Sequence, residues 1–94
     1  MIVDAHVHLG DVAQFRVADT SPEAMLALMD SLGIDLSIST HGAGLMECFE
    51  EGFQASEDAY ERSEGRLPYC LVYHPLYPHE SLAWIERALG RPGF

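Results

Sequence analysis

The sequence predicts an α/β fold in which parallel strands alternate with helices. Short apolar or β-branched segments are each followed by a segment with helical periodicity. The connections between the strand segments are long enough for right-handed crossovers. This alternation is typical of a parallel sheet with helices packed against it. The 94 residues fit a single domain, residues 1–94, with no room for a second.

The first unit joins a strand to a helix with clear boundaries. Residues 2–9 (IVDAHVHL) are short and largely apolar, which suits a buried strand. After a polar loop, Thr20 or Ser21 can cap a helix that ends at Gly33. Apolar residues at i, i+3, i+4 and i+7 predict the buried stripe of this helix: Met25, Leu28, Met29 and Leu32.

Two further units follow in the same order. The predicted strands are 34–40 and 67–73, and the predicted helices are 45–64 and 81–89. Leu82, Ile85 and Leu89 are predicted to face inward from the last helix, and Met46 and Phe53 from the one before. Units of about 31 residues match the repeat of a closed (β/α)8 barrel of about 250 residues. The chain is therefore predicted to be a partial TIM barrel, about the first three of eight units.

Composition excludes some classes of partner. Fifteen acidic residues against five arginines and no lysine give a formal net charge of −10. A surface this negative disfavours binding to nucleic acid or to an anionic membrane surface. The N-terminus has no basic segment of the kind that begins a signal peptide. We expect a cytoplasmic, reduced protein in which Cys48 and Cys70 are buried thiols.

The segment His6-Val7-His8 is the most informative part of the sequence. On a strand, residues i and i+2 point to the same face, so both imidazoles project together. Their Cβ atoms would lie roughly 6.5–7 Å apart, close enough for two ring nitrogens to bind one divalent ion. Asp4 has the same parity. The pair ends the first strand, the end at which barrel enzymes carry their catalytic groups.

Residues 4–10 (DAHVHLG) resemble the opening strand of the amidohydrolase superfamily, metal-dependent hydrolases with a TIM-barrel fold. The amidohydrolase-related branch opens with Asp-x-His-x-His and continues through a helix into a Gly-Ile-Asp-like turn, here residues 33–35. Residues 65–67 and 78–82 are also similar to this pattern. The resemblance covers the whole chain, but only the His-x-His element is specific.

The resemblance implies a metal centre and a small-molecule substrate. His6 and His8 match the first two metal ligands of the family, which bind zinc, the first choice here, or a similar divalent ion. The implied reaction is hydrolysis or decarboxylation of a small carboxylic acid, amide or ester. The other ligands and the catalytic acid of the family lie on strands after the third. Whether this chain is itself an enzyme is therefore left open, and its catalytic residues are unknown.

Two further histidines are candidates for the rim of such a site. His41 follows the second predicted strand and His74 the third, so each could be a third ligand or a substrate contact. Ordinary rim histidines with solvent or backbone partners are the simpler interpretation of both. Gly42-x-Gly44 before a helix could bind an anion, but a turn is the better interpretation because the glycine fingerprint is incomplete.

Two other functions remain open. TatD-type metal-dependent deoxyribonucleases also open with His-x-His and carry a His-Pro pair, like His74-Pro75, after the third strand. The other alternative is a non-catalytic, truncated α/β protein that persists only as an oligomer. If the chain is complete, the open edges of its sheet predict a homo-oligomer.

Overall fold

Two parallel strands form the sheet of this small mixed α/β domain, which a computed structural model describes for residues 1–12, 14 and 16–94. Within these residues four helices accompany the strands. The elements in chain order are β1 (Val3–Leu9), α1 (Pro22–Leu32), β2 (Leu36–His41), α2 (Gly42–Leu45), α3 (Phe49–Arg62) and α4 (Pro78–Ala88). None of these helices is long and apolar enough to cross a membrane.

The first β-α-β unit forms as predicted. The Ser21 hydroxyl accepts a hydrogen bond from the Ala24 amide and caps α1, and Gly33 ends the helix with a φ of 69°. Met29 lies in the core with Leu9 and Leu67. The predicted stripe is wrong at two of its four positions, however. Leu28 and Leu32 are 53% and 60% exposed, because α1 turns Leu26 toward the core beside Met25, which packs there as predicted.

The third predicted strand, residues 67–73, is wrong as a strand. The chain does run beside β2, with one isolated parallel bridge between Ser39 and Tyr69. Pro68 has no amide hydrogen to donate. The Cys70 amide donates to the Ser39 carbonyl of β2 at 2.8 Å, whereas the Tyr69 amide points away from β2 and donates to the Gly93 carbonyl at 2.8 Å. The ladder therefore does not extend into a third strand within the described residues.

The second predicted helix, residues 45–64, is divided in two. The break lies between α2 and α3, where Glu47 adopts a φ of 67°. Phe53 is buried as predicted, whereas Met46 is exposed. A Cβ on Gly52 would lie 2.7 Å from the Gly44 backbone nitrogen, so the two helices pack closer than any side chain permits.

The C-terminal helix α4 begins earlier than predicted and buries a different face. Ser81 and Ala88 are buried, while Leu82 and Leu89, predicted to face inward, are exposed. The Ser81 hydroxyl donates to the Tyr77 carbonyl at 2.7 Å and accepts from the His74 amide at 2.9 Å. This polar contact fixes the side of α4 that faces the domain.

Both cysteines lie at the surface. Cys48 and Cys70 are free and exposed, so the prediction of buried thiols is wrong. Cys48 precedes α3 at the break after α2, and Cys70 follows the isolated bridge beside β2.

The two faces of the sheet differ in what covers them. Pairing of β1 with β2 joins Val7 to Ser39, His8 to Thr40 and Leu9 to His41. Since Leu9 packs with core residues of α1 and α3, its side of the sheet is the covered face. Side chains alternate along a strand, which gives each face a set of residues. The covered face carries Leu9, Ser37, Ser39 and His41, and the open face carries Val3, His8, Leu36, Ile38 and Thr40. His6 belongs to the open face as well, because its ring meets that of His8.

A candidate metal-binding histidine pair

The side chains of His6 and His8 converge at the carboxyl end of β1. Their Nε2 atoms lie 3.1 Å apart, and the ring planes are nearly perpendicular, at 87°. Two imidazoles bound to one tetrahedral ion at about 2.0–2.1 Å would hold their nitrogens about 3.3 Å apart. The observed separation is close to that value. The sequence prediction that the two rings point the same way is confirmed by this geometry.

Asp4 does not share the open face with His8, contrary to its parity in the sequence. The register shifts between Asp4 and Val7, a β-bulge that adds one residue to β1. Asp4 consequently pairs with Ser37, a residue of the covered face. Its carboxylate accepts a hydrogen bond from the His6 amide at 3.1 Å. Asp4 therefore binds the backbone amide of His6, and its carboxylate does not lie beside the two imidazoles.

His8 also borders a pocket of about 210 Å³. The other lining residues are Gly10, Val12, Val17 and Thr20. The Nδ1 atom of His8 is buried and has no hydrogen-bond partner among the described residues. A histidine that binds a metal through Nε2 carries its proton on Nδ1, where it usually finds an acceptor. The two Nε2 atoms thus fit a divalent ion, whereas the Nδ1 atom of His8 lacks, among the described residues, the hydrogen-bond acceptor that usually accompanies metal binding.

His41 lies on the other side of the sheet from this pair. It pairs with Leu9 of the covered face and caps α2, since its Nδ1 accepts a hydrogen bond from the Ala43 amide at 3.2 Å. Burial lowers the pKa of His41, and the negative charge of Glu51 opposes that change. A neutral ring is the form that can accept at Nδ1. The structure therefore gives this rim candidate a capping role.

The second rim candidate, His74, is held by a separate cluster. Its Nδ1 accepts from the Leu76 amide at 3.3 Å, and its Nε2 lies 3.6 Å from a carboxylate oxygen of Glu47. Tyr77 packs against the ring, and the charge of Glu47 raises the pKa of the Tyr77 hydroxyl. His79, in the first turn of α4, is exposed. Neither His74 nor His79 joins the pair.

No group of three or more His, Cys, Asp or Glu side chains in residues 1–12, 14 and 16–94 could hold a metal ion. A catalytic zinc usually has three protein ligands and a structural zinc four. His6 and His8 thus amount to half of a tetrahedral site. With two ligands they can hold an ion only if further donors come from outside the described residues.

The Gly42-x-Gly44 segment has a packing role. It forms the single turn of α2, and its Ala43 amide is already bound by His41. A Cβ on Gly42 would lie 2.6 Å from the Asp11 carbonyl oxygen, so the backbone itself occupies this space. The interpretation as a turn is supported over an anion site.

Sequence reasoning missed the pocket beside His8 and the close contact between Gly44 and Gly52. The pocket depends on the contact between Gly10 and Thr20, where the Gly10 amide donates to the Thr20 carbonyl at 3.1 Å. No local pattern encodes that contact. The glycine at position 52, inside a predicted helix, was the one available signal for the close approach of α2 and α3.

Comparison of the chain with protein-family models, with curated proteins and with solved structures found no match.

Proposed function

We propose that this chain forms the opening β-α units of a TIM-barrel, metal-dependent hydrolase or decarboxylase of the amidohydrolase-related type. The substrate class is a small carboxylic acid, amide or ester. The observation that carries the proposal is the 3.1 Å separation of the His6 and His8 Nε2 atoms at the carboxyl end of a parallel strand. That is the end at which barrel enzymes hold their catalytic groups.

The distribution of side chains on β2 supports the barrel. Leu36 and Ile38 lie on the open face and are only partly buried, whereas Ser37 and Ser39 are fully buried beneath the helices. If the sheet were covered by helices on one face only, its strands would be expected to place their large apolar residues on that covered face. Large apolar residues that point away from the helices suit a barrel strand, because the interior of a barrel is filled by such side chains.

In the proposed site, His6 and His8 hold a divalent ion, with zinc as the first choice. The ion would activate water or polarise a substrate oxygen. Asp4 would keep His6 in position through its hydrogen bond to the His6 amide. The pocket beside His8, about 210 Å³ and bordered by Val12, Val17 and Thr20, is of a size for a small organic molecule. The remaining ligands would come from later β-α units.

The deoxyribonuclease alternative has less support. His74, which stands where that family has its His-Pro pair, is bound to the backbone of Leu76 and faces Glu47. It lies apart from His6 and His8. The net charge of −10 also opposes binding of a polyanion.

The test is zinc affinity, measured by competition with a chromophoric chelator. We expect His6→Ala and His8→Ala each to weaken zinc binding by at least about 100-fold, since even supporting residues around a metal are worth about 10–100-fold. His79→Ala is the matched control, because it removes an exposed imidazole outside the pair, and it should leave the affinity unchanged. Circular dichroism verifies that each variant is folded. If wild-type affinity survives in both single variants, the proposal is wrong.

A further inference from the structure

We infer that two copies of this chain share one divalent ion, held between the histidine pairs of their open faces. The inference rests on the proposed function in one respect, which is that His6 and His8 bind a metal. It adds the source of the remaining ligands when the 94-residue chain is alone. In this assembly each copy supplies its two Nε2 atoms, and four imidazoles complete a tetrahedral site.

The first argument is the incomplete ligand set. His6 and His8 present two nitrogens at a separation suited to one ion, yet the described part of the chain offers no third donor. A two-fold axis through the ion doubles any ligand set, since the same surface meets itself across such an axis. Two ligands become four, the number that structural zinc sites use.

The second argument is charge. A chain with a net charge of −10 repels its own copies unless the surfaces that meet are free of acid. Its fifteen acidic residues all lie outside the open-face set of Val3, His8, Leu36, Ile38 and Thr40. Asp4, the one acid on β1, is turned to the covered face by the bulge. The centre of the open face therefore carries no acid, and the carboxylates that border it, Asp11 and Asp35, are bound to the Thr20 hydroxyl and the Ile2 amide.

The third argument concerns the area of the open face, which is too small to hold two copies together without a metal ion. Two strands about 4.8 Å apart and about 20 Å long present roughly 200 Å² of sheet. A stable interface buries about 800 Å² on each partner. Apolar contact across Val3, Leu36 and Ile38 is thus too small to hold two copies by itself. The shared ion has to supply the rest, so removal of the metal should separate the copies.

Native mass spectrometry combined with metal analysis tests the inference on the intact chain. With zinc alone added, we expect a dimer of two 10.4 kDa chains carrying one zinc, or half an ion per chain, and EDTA should return it to monomer. The His6→Ala/His8→Ala variant should remain a zinc-free monomer. Val3→Glu places an acid on the open face and should weaken the zinc dimer at least tenfold. Leu28→Glu, at an exposed position of α1, is its matched control and should not.

Each other outcome overturns a defined part of the account. A monomer that binds one zinc per chain through His6 and His8 overturns the shared ion and leaves the proposed function in place. A dimer that persists in EDTA, or that forms without both histidines, also overturns the inference. A wild-type chain that binds no zinc overturns the proposed function and the inference together.

Discussion

The covered and open faces belong to the same two strands but are built for different tasks. On the covered face, Ser37 and Ser39 are 1% and 0% exposed, and Leu9 packs with Met29 and Leu67. The small serines let the helices approach the sheet closely. The open face carries Leu36 and Ile38, only partly buried, together with His8. Hence the buried contacts that stabilise the domain lie mainly on one side of the sheet, and the candidate metal ligands lie on the other.

This difference shows how a single extra residue can assign side chains to faces. The bulge between Asp4 and Val7 leaves Val3 and His8 on the open face although their positions differ by an odd number. Without it, Asp4 would share the face of His8 and place a carboxylate there. The bulge thus separates the acid from the imidazole pair and lets it bind the His6 amide instead.

The largest expected effect compares two leucines of equal size. Leu67, fully buried, contributes to the covered side, whereas Leu36 lies partly buried on the open face. We expect Leu67→Ala to lower the free energy of unfolding by about 2–5 kcal/mol, as for other buried leucines, and Leu36→Ala by about half of that or less. Urea denaturation in EDTA measures both. Equal losses would mean that the open face is packed as tightly as the covered one.

A smaller effect distinguishes two serines on the covered face. The Ser39 hydroxyl donates to the Pro68 carbonyl at 3.2 Å, while the Ser37 hydroxyl is buried with no partner among the described residues. We expect Ser39→Ala to cost about 1 kcal/mol, the usual net value of a hydrogen bond. Ser37→Ala should be neutral or stabilising, because it removes an unpaired buried group. Thermal or urea unfolding of the pair tests this, and a larger loss for Ser37→Ala would contradict it.

The smallest effect is a pH dependence at the end of β2. Because the folded-state pKa of His41 is lowered by burial, the unfolded chain binds a proton more readily. The stability that His41 contributes is therefore present above its ordinary pKa of 6.5 and declines as the pH falls below that value. His41→Asn keeps a side chain that can cap α2 but does not titrate. We expect its unfolding free energy to fall less than that of the wild type between pH 7.5 and 5.5.

The control for this prediction is His79→Asn, at an exposed position that should leave the pH profile of the wild type unchanged. If His41→Asn and the wild type lose stability in parallel over this range, burial of the His41 ring is not the cause.

Local signals predicted the first unit well and failed where long-range contacts decide. Ser21, Gly33 and the alternation around His6 and His8 act within a few residues, so the sequence alone indicated them. Leu28, Leu82 and Leu89 fit helical stripes but are exposed, since the direction of burial depends on which surfaces meet. The third strand is reduced to a single bridge at Tyr69 because the preceding Pro68 cannot donate a hydrogen bond to β2.

The same distinction between local signals and long-range contacts applies to the residues of the candidate site. The convergence of His6 and His8 follows from the two-residue period of a strand and could be predicted. The assignment of Asp4 and His41 to the covered face could not, because it depends on the register of β1 against β2. The TIM-barrel architecture and the amidohydrolase-related function stay predictions.

The most direct test of the central claim is histidine ¹⁵N NMR during a zinc titration, because it reports each ring nitrogen separately. We expect zinc to shift the Nε2 resonances of His6 and His8 to the range of metal-bound nitrogen, with the proton fixed on Nδ1. The nitrogens of His41, His74 and His79 should keep their positions. A titration that shifts one of these three first, or that shifts Nδ1 of the pair, would contradict the assignment of the open-face histidines as the metal ligands.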